Sequence, residues 1–178
     1  VSTFVPADSL QTNHDESKKP YVKDVHSHAN INEVSCTHLF LDINVDFNKK
    51  VIDGVAHFDI QSHGGDTIIF DSKYININKI LLNDNTEAKF TLGKEDELLG
   101  SAIIVPINKD TKKVSIHYTT TDKSEALQWL DPAQTAGKKS PYLFTQGEAI
   151  LTRTWIPCQD TPGSRITYKA RVKVPTNM

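Results

Sequence analysis

Long apolar runs are missing from this chain. No eighteen consecutive apolar residues occur, which excludes a membrane-spanning helix. An excess of charge of one sign is missing too, since 20 Lys and Arg stand against 22 Asp and Glu for a net charge of −2. The charges are interspersed, so nothing favours nucleic acid or an anionic membrane as a partner. Cysteine is scarce. Cys36 and Cys158 could pair in an oxidising compartment, but two residues make no disulfide framework, and they read as buried thiols packed as small hydrophobes.

Catalytic signatures are also lacking. None of the seven histidines is followed directly by Glu, so the His-Glu-x-x-His zinc motif does not occur. His26 and His28 alternate along an extended segment, but spacing identifies no third metal ligand. His57 and His117 lie between apolar residues and read as structural histidines. "SHGGD" at 62–66 has no Lys-Ser/Thr continuation, so it reads as a hairpin turn and not a phosphate loop. The aromatics are dispersed and not interleaved with basic residues, which leaves no stacking platform for single-stranded nucleic acid. A chain beginning at Val1 reads as processed or trimmed, so it carries no information on a signal peptide or compartment, cytoplasmic or exported.

What is present is period-two patterning. A length of 178 residues with 38% hydrophobic content and a mean hydropathy of −0.40 suits one soluble domain with a core. Residues 1–20 are aperiodic and polar, and read as a flexible or loosely docked segment ahead of a domain over 21–178. In "HLFLDINVDF", Leu39, Leu41, Ile43, Val45 and Phe47 share one face, with Asp42, Asn44 and Asp46 on the other. A turn at Asn48–Lys50 leads into "VIDGVAHFDI" as its hairpin partner. "TIIFD", "YININKILL", "AKFTL", "SAIIVPI" and "KVSIHYTT" continue the pattern, with a turn at 83–85. In the last strand, "RITYKARVKV", Ile166, Tyr168, Ala170, Val172 and Val174 share a face. Strands this frequent predict an all-β fold, antiparallel, a saddle or sandwich of two or more packed sheets. The one helical candidate is a turn at "DPAQTAG", capped by Asp131, with Pro132 first and Gly137 as its stop.

One stretch breaks the pattern. In "YLFTQGEAILTRTWIPCQDTP", 142–162, Gln146 and Glu148 fall two apart, which puts both on one face of a strand. Their neighbours Tyr142, Leu143, Phe144, Ile150 and Leu151 are apolar, and a carboxylate so placed needs a cation or several donors. An internal ion pair with Arg153, a wet edge strand and a cationic ligand all satisfy that need. Two prolines make "IPCQDTP" a rigid turn in which Asp160 can accept from backbone amides.

These residues resemble the N-terminal domain of the M1 family of zinc aminopeptidases. Thr145, Gln146, Glu148, Arg153, Pro157, Cys158, Asp160 and Pro162 match the family signature without a gap. "LQWLDPAQTAGKKSPYLFTQ" and "PCQDTP" are similar to the leukotriene A4 hydrolase branch in particular, and "DVHSHANINEVSCTHLFLDINVDFNKKVIDGVAHFDI" is similar to its opening strands. The resemblance covers about 21–175 and is most specific over 128–162. It implies an all-β domain that packs on the enzyme's own downstream zinc domain, with no catalytic residue and no metal ligand in this chain. It also implies a substrate-binding segment of Gln146, Gly147, Glu148 and Ala149. There Glu148 would hold the free α-amino group of a peptide, and Gln146 would line the pocket for the first side chain. Two positions depart from the pattern. Vertebrate leukotriene hydrolases have Gln where this chain has Glu148, so Glu favours peptide over epoxide chemistry; Thr152 replaces the usual Ala. The rival reading is a stand-alone β-sandwich binding or adhesion module, with Glu148 paired to Arg153. A third is a family member whose zinc domain has decayed to a scaffold.

Overall fold

The computed structural model describes residues 22–176, so the expectation for 1–20 lies outside the described residues. Strand β1 (Val34–Asp46) and strand β2 (Val51–Ser62) form the predicted antiparallel hairpin, in a register that pairs Leu41 with Ala56 and Asp46 with Val51. The chain reverses at Phe47–Lys50, where Asp46 Oδ1 accepts the amides of Asn48 and Lys49 at 3.0 Å each. Alternation buries Leu39, Leu41, Ile43 and Val45, each no more than 7% exposed. Gly54 lets the two strands close up, because a Cβ there would lie 2.2 Å from the carbonyl oxygen of Asp42.

Four further strands complete this sheet. They are β4 (Ile75–Leu82), β5 (Thr86–Glu87), β8 (Lys113–Thr120) and β11 (Thr167–Lys173), in the order β11-β1-β2-β8-β4-β5. In β4 the simple alternation of Ile75 and Ile77 does not run through. A bulge between Ile77 and Lys79 resets the phase, so that Ile80 becomes the fully buried residue. The second sheet is β3 (Thr67–Ser72), β7 (Ser101–Pro106) and β6 (Thr91–Leu92), in the order β3-β7-β6. Its inward residues Ile68, Phe70, Ile103 and Val105 meet Phe58, Val114, Ile116 and Tyr118 of the first sheet in one core. Phe58 and Phe70 touch across the sheets at 5.0 Å between ring centroids. A third sheet pairs β9 (Leu127–Leu130) with β10 (Tyr142–Thr145). The fold is all-β as predicted, and "DPAQTAG" shrinks to a 3-10 turn over Pro132–Gln134, with the Asp131 amide bonded to Gln134 Oε1. No helix among the described residues is long and apolar enough to cross a membrane.

Two expectations are corrected. "SHGGD" is no hairpin turn: it carries the chain from β2 in one sheet to β3 in another. Ser62 Oγ holds it by donating to the Gly65 carbonyl at 2.8 Å. The last strand is not antiparallel. β11 runs parallel to β1, with Leu41 opposite Ala170, because it arrives from the far end of the chain and not through a hairpin. Its apolar face is regular but uncovered: Tyr168 is 77% exposed and Val172 is 52% exposed.

Candidate functional site

β10 leads directly into the segment that carries the predicted site. Thr145 pairs with Leu127, and the Gln146 amide donates to the Ala126 carbonyl at 2.9 Å. There the strand ends, so Gln146 and Glu148 stand in a loop and not within a strand as alternation suggested. The Glu148 amide donates to Gln146 Oε1 at 3.0 Å, and the Leu151 amide donates to the Gly147 carbonyl at 2.9 Å, which closes the loop into a turn. The Glu148–Ala149 peptide bond is cis. A Cβ at Gly147 would sit 2.4 Å from Thr152 Oγ1, so a larger residue there has to displace that hydroxyl. A 3-10 turn over Thr152–Thr154 follows.

Glu148 is exposed, as are Gln146 and Ala149, while Gly147 is half-buried. The carboxylate of Glu148 makes no hydrogen bond or ion pair with any described residue. The Glu148–Arg153 pair of the rival reading is absent, and the reason lies in what Arg153 demands. Its side chain is 0% exposed, and a guanidinium in that position must satisfy its whole donor fork. Nε donates to Asp160 Oδ2 at 3.0 Å, Nη1 to the Leu99 carbonyl at 3.1 Å, and Nη2 to the carbonyls of His26 and Asp160 at 2.9 and 3.0 Å. Asp160 Oδ2 also takes the Arg153 amide at 3.2 Å, as the turn chemistry of "IPCQDTP" suggested. The misplaced charge of the stretch is therefore Arg153, and it faces inward.

A residue that sequence reasoning missed completes this network. Asp71, at the end of β3, is 0% exposed and lies 3.6 Å from Arg153 Nη1. It accepts Ser27 Oγ at 2.6 Å, the His28 amide at 2.7 Å and the Asp160 amide at 3.0 Å. Burial pushes its carboxyl above the ordinary carboxylate value, against the pull of those donors and of Arg153. The signal was present in "TIIFD", a carboxylate closing an apolar run, which is the same anomaly that marked Glu148.

The rest of the segment is tied down as firmly. Gln159, buried, donates to the Val34 carbonyl and accepts the Cys36 amide, each at 2.9 Å. Thr154 Oγ1 accepts the Ala126 amide at 3.1 Å and donates to the Leu151 carbonyl at 2.7 Å. Cys158 bridges to Asp71 through backbone bonds of 2.7 and 3.2 Å. Cys36 and Cys158 are both buried free thiols, and burial raises the pKa of each. His26 turns to Asp24, with Nδ1 3.3 Å from Oδ1, whereas His28 Nε2 is buried without a hydrogen-bond partner. His57 Nδ1 meets Ser115 Oγ at 2.8 Å on the outer face of the large sheet.

Beside the loop, β10, β1 and β11 frame an apolar cleft of about 570 Å³, floored by Leu41 and Ile43 and walled by Phe144, Trp155 and Tyr168. Tyr142 is 56% exposed and Phe144 is 44% exposed, so the wall is open. A continuous apolar surface of this kind, unlike scattered exposed residues, marks a place where something binds. The arrangement thus offers one unpaired carboxylate on a braced loop, next to an uncovered hydrophobic trough.

Comparison with known proteins agrees with this architecture. A family model described as the peptidase M1 N-terminal domain matches residues 23–178. A leukotriene A-4 hydrolase homolog of Botryotinia fuckeliana is 34% identical over 161 residues, covering 86% of this chain and 25% of the relative. Leucine aminopeptidase 2 of Sclerotinia sclerotiorum is also 34% identical, over 86% of this chain and 26% of its own length. The structure of yeast LTA4 hydrolase in complex with bestatin superposes with a TM-score of 0.81 at 30% identity, covering 97% of this chain and 27% of that one. This chain therefore spans about a quarter of the length of the relatives it matches.

Proposed function

The chain belongs to the peptidase M1 N-terminal domain family, and from that premise we propose that it is the substrate-anchoring domain of a zinc aminopeptidase of the leukotriene A4 hydrolase branch. In this reading Glu148 receives the α-ammonium group of a peptide substrate. Gln146 lines the pocket for the first side chain, and Gly147 and Ala149 complete the segment along which the substrate lies. The observation that carries it is the exposed carboxylate of Glu148, which has no partner among the described residues while its loop is tied at both ends. A charge-assisted contact with an ammonium would orient the peptide and restrict cleavage to its first bond.

Among the described residues no three His, Cys, Asp or Glu side chains converge to hold a metal ion. In this reading the zinc of the enzyme is held by a zinc domain elsewhere in the full-length protein. That domain is the partner we assign to the apolar cleft and to the exposed Tyr168 and Val172 of β11.

The test is steady-state kinetics of the full-length gene product on an aminoacyl anilide. Glu148→Ala raises KM by roughly one to two orders of magnitude, the loss expected for a charge-assisted substrate contact. Glu148→Gln recovers part of it. Kinetics indistinguishable from the unmutated enzyme reject the role of Glu148.

A further inference from the structure

Glu148 owes its position to the two ends of its loop, because its own contact is confined to the Gln146 side chain. One end is the β9–β10 pair, through the Gln146 amide and the Ala126 carbonyl. The other is the 3-10 turn of Arg153, and that end is held from a distance. Arg153 Nη2 reaches the His26 carbonyl at 2.9 Å. The segment around His26 is pinned in turn by Ser27 Oγ and the His28 amide on Asp71. Its own shape comes from Asp24 Oδ1 accepting the His26 amide at 2.9 Å and Ser27 Oγ accepting the Ala29 amide at 3.0 Å. Asp71 closes the circuit by accepting the Asp160 amide at 3.0 Å, while Asp160 holds Arg153.

We propose that Asp24–Ala29 is a positioning strap for the Glu148 loop, with the Ser27 hydroxyl as its key contact, acting through Asp71 and Arg153. The inference rests on the reading of Glu148 as the ammonium anchor and adds a residue that touches no substrate. Two features set the strap apart from ordinary packing. Ser27, Asp71 and Arg153 are each buried, so their bonds are not exchanged with water. The circuit also ends on the turn that closes the loop bearing the free carboxylate. A charge-assisted contact weakens steeply as its distance and angle depart from the optimum, so fixing this end bears directly on how tightly the ammonium is held.

A double-mutant cycle in the full-length gene product decides the matter. Ser27→Ala raises KM for an aminoacyl anilide roughly five- to tenfold, with kcat changed less than about twofold. Ser27→Thr, which keeps the hydroxyl, restores most of it. In a Glu148→Ala background Ser27→Ala has no further effect on KM, because the group it positions is gone. Equal effects of Ser27→Ala in both backgrounds, or no effect on KM in the parent, overturn the strap. A silent Glu148→Ala instead overturns the anchor assignment, so the two failures are told apart. Should Ser27→Ala fold poorly, Asp24→Ala loosens the strap by removing the acceptor of the His26 amide and must show the same coupling in smaller measure. Additivity there also overturns the proposal.

Discussion

Replacing Arg153 with Met tests the buried network most sharply. Met keeps a long apolar side chain of similar reach, so little cavity is created. The change strips the carbonyls of Leu99, His26 and Asp160 of their donor, leaves the Asp160 carboxylate only the residue-153 amide, and leaves Asp71 without the cation 3.6 Å away. Breaking a buried ion pair from one side typically costs about 3–5 kcal/mol. At about 2–4 °C per kcal/mol for a domain of this size, the melting temperature falls by roughly 6–20 °C. Arg153→Lys recovers little, because a point ammonium cannot serve carbonyls spread around a planar fork. Acid should shrink the penalty. Asp71 has a folded pKa above its ordinary value, so its protonated form stabilises the fold below the ordinary carboxylate pKa, and that stabilisation is lost as pH rises through the folded value. Loss of Arg153 raises that folded value further. The gap between parent and variant is thus smaller near about pH 4 than at neutral pH. Thermal melting by circular dichroism of the 178-residue chain is the assay. Glu148→Ala is the control, with a shift below about 2 °C. An Arg153→Met variant that melts within about 3 °C of the parent, or equal losses from Arg153→Met and Glu148→Ala, would refute the assignment of the charge to the interior network.

Two further outcomes follow from the geometry. Gly147→Ala drives a methyl into Thr152 Oγ1 and lowers the melting temperature by a few degrees, on the order of 1–2 kcal/mol. The pair Gly147→Ala/Thr152→Ala recovers most of that, and a double variant no better than the single one shows that contact to be irrelevant. Cys36 and Cys158 stay unreactive toward Ellman's reagent in the folded chain, since both thiols are buried and held protonated. Both titrate in denaturant, and no free thiol in denaturant would reveal a bridge.

Local rules made much of the fold legible. Leu39 to Val45 alternate, and the structure buries that face; Val114, Ile116 and Tyr118 do the same. Local rules failed wherever a distant residue decided the outcome. Nothing near Ile77 announces the bulge that turns Ile80 inward, because the bulge answers to β8. Sequence proximity offers Glu148 as one candidate partner for Arg153, whereas its partners are Asp160 in the next turn and Asp71 on another sheet. Alternation also placed Glu148 in a strand, but β10 ends at Thr145 when its partner β9 runs out at Leu127. The motif spacing singles out 142–162 as a segment, but its interior wiring depends on residues distant in sequence.

The parallel pairing of β11 with β1 has a bearing on how the chain is born. Arg171 meets Asp42 across 129 positions of sequence. At a synthesis rate of about 5–20 residues per second, β1 waits roughly 6–26 s for its neighbour to emerge. During that interval the edge of β1 offers unpaired amides and carbonyls to any passing strand. The order of synthesis therefore leaves that edge of the large sheet to be closed last, by a strand from the far end of the chain.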